Sequence, residues 1–216
     1  MLYLRQILKL LRTDFKIEWR EKHQFFSLLL YITSSAFIAY MMLKSDVAPR
    51  VSISVFWIVL GFGAVTITSR SLIRETSHRF VFYYQTTPPT LLIVSKILFN
   101  CILLTIISWF TTWLFDLLFQ TGFPIRYLMT ISTLGALAFG TTLTLIAGIS
   151  ASAQGNAAIM AVLSFPLLLP QLLILIRISE ALLISAESGR FILASLLVDG
   201  ITLVLSIVLF QFLWKE

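Results

Sequence analysis

Two aspartates, Asp116 and Asp199, are the residues best suited to acid–base chemistry, because both stand next to or within long apolar stretches of the chain. Ionisable groups inside membrane-spanning segments are rare and usually functional, so a pair of carboxylates there could carry protons or support hydrolysis. In the structural alternative each aspartate sits at a helix end or packing contact, paired with an arginine such as Arg126, Arg177 or Arg190. We favour the structural interpretation for both.

Motifs for nucleotide, metal or nucleophile chemistry do not occur in the sequence. It contains no G-x-x-x-x-G-K, no H-E-x-x-H and no G-x-S-x-G, and Gly61 and Gly63 lack the third glycine of a G-x-G-x-x-G motif. The single cysteine, Cys101, excludes a disulfide framework. His23 and His78 are far apart and flanked by charges, which favours solvated histidines over metal ligands. We predict no catalytic residues, no metal site and no nucleotide site in this chain.

The composition identifies the class of protein. Of the 216 residues, 58% are hydrophobic and 12% are charged, and the mean hydropathy is +0.95. A soluble domain has about 25% charged residues, so the chain is predicted to be an integral membrane protein. Its net charge of +6 comes from basic residues beside apolar runs, which favours anionic lipids over nucleic acid as the partner.

The apolar runs predict six transmembrane helices in one all-α domain, 1–216. A spanning helix needs about 20 apolar residues, whereas residues 127–176 form one uncharged run of 50. That run must turn, and Ser152–Asn156 is its most polar stretch. The predicted spans are 25–43, 51–69, 91–118, 127–150, 157–176 and 191–214.

Lysine and arginine counts set the orientation. Ten lie on the side of the N-terminus and five on the other, with Lys96 just inside the third span, close to the ten. Both termini are therefore predicted to be cytoplasmic, and the connection 177–190 is predicted to lie on the opposite side.

Residues 1–22 predict an amphipathic helix on the membrane surface. Its apolar residues recur at helical spacing: Leu4, Ile7, Leu8, Leu11, Phe15 and Trp19. Basic residues recur on an adjacent face: Arg5, Lys9, Arg12, Lys16 and Arg20. The helix either anchors the first span or forms an elbow that frames a lateral opening or contacts a cytoplasmic partner.

The connection 70–90 is the most informative polar segment. The residues that suit a protein contact are Arg70, Arg74, Glu75, His78 and Arg79. Arg70, Arg74 and His78 share a helical face, and Glu75 and Arg79 form an i,i+4 pair. We predict a short cytoplasmic helix here that docks an ATPase; the alternative is a surface loop held by lipid phosphates.

A stripe of small residues runs along the fourth span, and its members are Ala136, Gly140, Thr144, Gly148 and Ser152. Such a stripe lets another helix approach closely. Packing within the chain is favoured over a homodimer contact.

The fifth span contains Pro166 and Pro170 on one face. Each proline removes a backbone donor and disfavours a straight helix. The pair predicts either a gating element or a static kink.

Three stretches make the chain resemble the CcmB family, the permease subunit of the cytochrome c maturation complex and an export-type (ABC-2) permease. They are R-E-T-S-H-R-F-V-F-Y-Y-Q-T-T-P-P-T with the following L-L-I-V-S-K-I-L-F-N, then T-L-I-A-G-I-S-A-S-A-Q-G-N-A-A, and A-V-L-S-F-P-L-L-L-P-Q-L-L-I. Where many members carry a D-G-S-L-E type stretch, this chain has R-E-T-S-H-R, which indicates a divergent branch.

The resemblance implies a permease in the bacterial inner membrane that acts in haem delivery. It implies an ATP-binding partner similar to CcmA, haem-handling partners similar to CcmC and CcmE, and two copies of the permease. Haem is the possible cargo, and ATP acts only through the partner. Three alternatives stay open: an exporter of another cargo such as a lipid or drug, a membrane enzyme that uses Asp116 and Asp199, and a structural assembly subunit.

Overall fold

The computed structural model describes residues 2–20, 22–43, 49–73, 88–120, 124–152, 157–183 and 189–213. Within these ranges the chain forms helices and no strands, as predicted for an all-α protein. The helices are α1 (Leu2–Arg20), α2 (Lys22–Leu43), α3 (Pro49–Ile73), α4 (Pro89–Phe119), α5 (Ile125–Ser152), α6 (Ala157–Leu183) and α7 (Gly189–Leu213).

Six of these helices are long and apolar enough to cross a membrane. The crossing stretches are Phe25–Leu43, Arg50–Ser69, Pro89–Phe119, Ile125–Ala151, Met160–Ala181 and Gly189–Phe210. The prediction of six spans is confirmed, and the chain is a multi-pass membrane protein. The amphipathic helix predicted at the N-terminus forms as α1.

Helix α5 is the centre of the bundle. It packs against α3, α4, α6 and α7. In its most apolar stretch 78% of the residues are buried, whereas in that of α7 only 11% are. Its glycines, alanines and hydroxyl residues explain this position, because small side chains let neighbouring backbones approach closely. The leucine-rich surface of α7 is largely exposed, as expected of a helix that faces lipid tails.

The spans alternate in direction, so the bundle has two ends. We call the near end the one where α2, α4 and α6 begin, and the far end the one where they finish. Edge-to-face ring contacts join four helices in the far half: Tyr40 with Phe119 at 5.7 Å, Phe56 with Phe115 at 5.4 Å and Trp57 with Phe139 at 6.1 Å. These contacts tie α2, α3, α4 and α5 together on that side.

Two helices extend beyond their predicted spans. Helix α3 continues through Ile73, so Arg70 lies in its last turn and not in a separate connection, and α6 continues through Leu183, so Arg177 is helical. The reason is the same in both places. These two predicted spans are read from runs without charged residues. A helix can continue past the end of such a run and carry charged residues at the interface.

Candidate functional site

The predicted ATPase-coupling segment lies mostly outside the described residues. Outside them are four of its candidates: Arg74, Glu75, His78 and Arg79. The structure describes the backbone on both sides, where α3 ends at Ile73 and α4 begins at Pro89. Pro88 is extended, and Pro89 occupies the first helical turn, where its missing N–H costs nothing. The coupling role of the segment stays a prediction.

A buried ion pair joins α1 to α4 at the near end. The Nζ of Lys96 donates to Oδ1 of Asp14 at 2.7 Å, and the two side chains are 5% and 6% exposed. Sequence analysis missed this pair. The signal was available, because Asp14 stands three residues after Leu11 and seven after Ile7, on the apolar face of the helix. An acidic residue on that face predicts a buried partner.

The apolar face of α1 serves two surfaces. Leu11 packs against the bundle core, and the ring of Phe15 meets that of Phe99 edge-on at 5.1 Å. Leu8 and Trp19 are exposed. The basic residues of the neighbouring face are also exposed: Arg5, Lys9, Arg12, Lys16 and Arg20. Helix α1 is therefore docked on the protein along one edge and presents cations along the other.

The small-residue stripe of α5 contacts other helices of the same chain. A Cβ added to Gly140 would lie 2.6 Å from Sγ of Cys101 on α4, and one added to Gly148 would lie 3.3 Å from the ring of Phe210 on α7. Between them, Thr144 accepts a 2.8 Å hydrogen bond from Nδ2 of Asn100.

These three residues, Gly140, Thr144 and Gly148, are all buried within one chain. The stripe is therefore not a surface open to a second copy, and a homodimer would have to use another face.

Asp199 is bonded to an amide and not to an arginine. Its Oδ1 accepts from Nε2 of Gln171 at 3.2 Å, and both side chains are buried. One turn along α7, the Thr202 hydroxyl donates to the backbone oxygen of Asp199 at 2.9 Å and lies 3.4 Å from Oγ1 of Thr141 on α5. Gln171 directly follows Pro170, so this polar contact holds α6 to α7 at the edge of the proline segment.

The candidate arginine partners lie elsewhere. Arg177 pairs with Glu180 of its own helix at 3.4 Å, and Arg50 approaches the same carboxylate at 3.8 Å. Arg126 and Arg190 are exposed at the far end.

The two candidate acids lie at different depths. Asp116 is three residues before the far end of α4 and Asp199 is ten residues after the start of α7. At 1.5 Å per residue, Asp116 is about 5 Å from the end of its helix and Asp199 about 15 Å from the start of its own. These positions along the two helices disfavour a shared acid–base pair.

Pro166 and Pro170 lie inside α6, which continues through both, and their side chains are exposed. The gating role of the two prolines stays a prediction.

Among the described residues no group of three His, Cys, Asp or Glu side chains could hold a metal ion. His23 is exposed at the start of α2. The other histidine, His78, is outside the described ranges.

Comparison with known proteins finds one family. The family model described as CcmB protein matches residues 5–214, which is nearly the whole chain. No curated protein and no solved structure matches.

Proposed function

Because the chain belongs to the CcmB family, the haem exporter permease subunit of the cytochrome c maturation ABC system, we propose that it transmits the motion of a partner ATPase to haem delivery across the membrane. The observation that carries the proposal is the family match over residues 5–214. Six apolar helices fit a permease.

The proposed partners are an ATP-binding subunit and haem-handling subunits, each named by the family it resembles. ATP hydrolysis belongs to an ATP-binding subunit similar to CcmA, and haem handling to subunits similar to CcmC and CcmE. The proposed location is a bacterial inner membrane with both termini in the cytoplasm. The exposed cations of α1 support this orientation, because basic residues concentrate on the cytoplasmic side and attract anionic lipids.

In the proposed cycle, residues 70–87 contact the ATPase, and closure of the ATPase shifts them. The segment leads directly into α4, which packs along α5. Helix α5 in turn contacts α6 and α7, so a shift of α4 has a continuous packed route to the proline segment. Pro166 and Pro170 then allow α6 to bend.

Haem is the proposed cargo or the group whose delivery the motion drives. The second candidate is export of another cargo, such as a lipid or drug, because the same fold serves such permeases. Mild-detergent isolation of the complex from native membranes separates the two. Recovery of an ATPase with haem-handling proteins supports haem delivery, whereas recovery of an ATPase alone supports the other cargo.

A charge reversal tests the coupling. The variant R74E/E75R keeps the net charge and should leave insertion intact while cytochrome c yield falls by at least about fivefold, the lower range of allosteric coupling. R126E at the exposed far end is the control and should mature cytochromes normally. Normal cytochrome levels in R74E/E75R would refute the coupling role.

A further inference from the structure

The ion pair between Asp14 and Lys96 sits at the base of the predicted coupling segment. Lys96 lies seven residues after Pro89, which is two helical turns from the point where that segment enters α4. The Nζ–Oδ1 distance is 2.7 Å, and both side chains are more than nine-tenths buried. The pair therefore ties α1 to the helix that receives the coupling motion first.

This contact differs in kind from the apolar contacts that α1 makes with the bundle. The edge-to-face pair Phe15–Phe99 and the packing of Leu11 are apolar. Apolar packing tolerates sliding, because it has no strong directional preference. A buried charge-assisted hydrogen bond is short and directional, and separating it exposes two charges to a medium that solvates them poorly. The pair therefore restrains the position of α1 on α4 more strictly than the apolar contacts do.

We propose that Asp14 and Lys96 are positioning residues that join α1 to α4, so that the N-terminal helix moves with the coupling segment during each ATPase cycle. The inference rests on the proposed function. In this arrangement α1 is a moving part of the transmission, and its exposed cations travel along the lipid headgroups. A simple anchor would instead stay with the lipid while α4 moves.

The experiment uses the whole complex in its membrane with three versions of the pair. They are the wild type, the exchanged pair D14K/K96D and the apolar pair D14L/K96M. The apolar pair fills similar volume without leaving a lone buried charge, so it should fold even where a single substitution would not. R177M removes a more exposed ion pair within α6, leaves Glu180 facing Arg50, and is the control.

Two readouts are taken with and without ATP. One is the cytochrome c yield at equal permease level. The other is the distance between spin labels at Leu8 and Leu98, which are both exposed. In the wild type the distance should be the same in both nucleotide states. In D14L/K96M it should change with nucleotide, and the yield should fall by at least about fivefold. The exchanged pair should restore both readouts.

An apolar pair with full cytochrome yield and a constant distance would overturn the inference, as would an inserted exchanged pair that restores neither readout. If the exchanged pair does not insert, the apolar pair alone decides. A wild-type complex whose cytochrome maturation does not depend on ATP would overturn the proposed function, and with it the inference. If the wild type depends on ATP and D14L/K96M matches it in both readouts, the inference is overturned and the proposed function stands.

Discussion

Replacing Gly140 by alanine should destabilise the bundle at the contact between α4 and α5. The added Cβ would lie 2.6 Å from Sγ of Cys101, 3.1 Å from its Cα and 3.2 Å from its backbone nitrogen. A side chain can rotate away, but the backbone of a buried helix cannot. The two helices must therefore separate by a few tenths of an ångström, which also stretches the hydrogen bond from Asn100 to Thr144.

Three contributions determine how much free energy of unfolding the G140A variant loses. Overpacking a tight contact costs about 1–3 kcal/mol, and losing one interhelical hydrogen bond in a membrane protein costs about 0.6 kcal/mol. Alanine is a better helix former than glycine, which offsets about 0.8–1.0 kcal/mol. The net loss in the free energy of unfolding is about 0.6–2.8 kcal/mol, measured by titrating the purified permease with denaturing detergent in mixed micelles.

Two further variants make the test specific. A Cβ at Gly200 on α7 meets nothing within 4 Å, so G200A should match the wild type or exceed its stability by up to about 1 kcal/mol. C101A removes the Sγ contact but keeps the two backbone contacts, so C101A/G140A should recover only part of the loss. Wild-type stability in G140A, or full recovery in the double variant, would refute the reasoning.

The remaining predictions concern two buried polar contacts. A Cβ at Gly135 would overlap the ring of Trp57, whose Nε1 donates to Ser179 at 3.0 Å, so G135A should lower stability by about 1–3 kcal/mol in the same titration; wild-type stability would contradict this. The variant D199N keeps an acceptor for Gln171 and should retain stability and cytochrome yield, whereas D199L should lose about 1–3 kcal/mol by leaving the amide unpaired. A stable D199N that fails to mature cytochromes would show that the charge is needed.

The spans could be predicted because each depends on a local property of the sequence. A run without charges predicts a helix in lipid, since every backbone group must then be bonded inside the segment. The turn after the fourth span is an example. The polar stretch from Ser152 predicted it, and α5 ends at Ser152 while α6 begins at Ala157.

The partners of the buried polar groups could not be predicted in the same way. The residues joined by the ion pair are 82 apart in sequence, and those joined by the Trp57–Ser179 bond are 122 apart. Which residues meet depends on the rotation of each helix about its axis. That rotation is set by the packing of the whole bundle, and a pattern within one helix does not contain it.

Directional contacts with other helices are unevenly distributed along α6. Among its described side chains, those that bond to other helices are Gln171, Ser179 and Glu180, and all three follow Pro170. Before Pro166, Ser164 bonds only to its own helix, and Val162 and Phe165 are exposed. Met160 of the near half is nevertheless buried in the core of the bundle, and packing of this kind contributes to helix association in lipid. The near half of α6 is therefore held by packing without directional contacts to other helices, and it is also the half closest to the proposed ATPase.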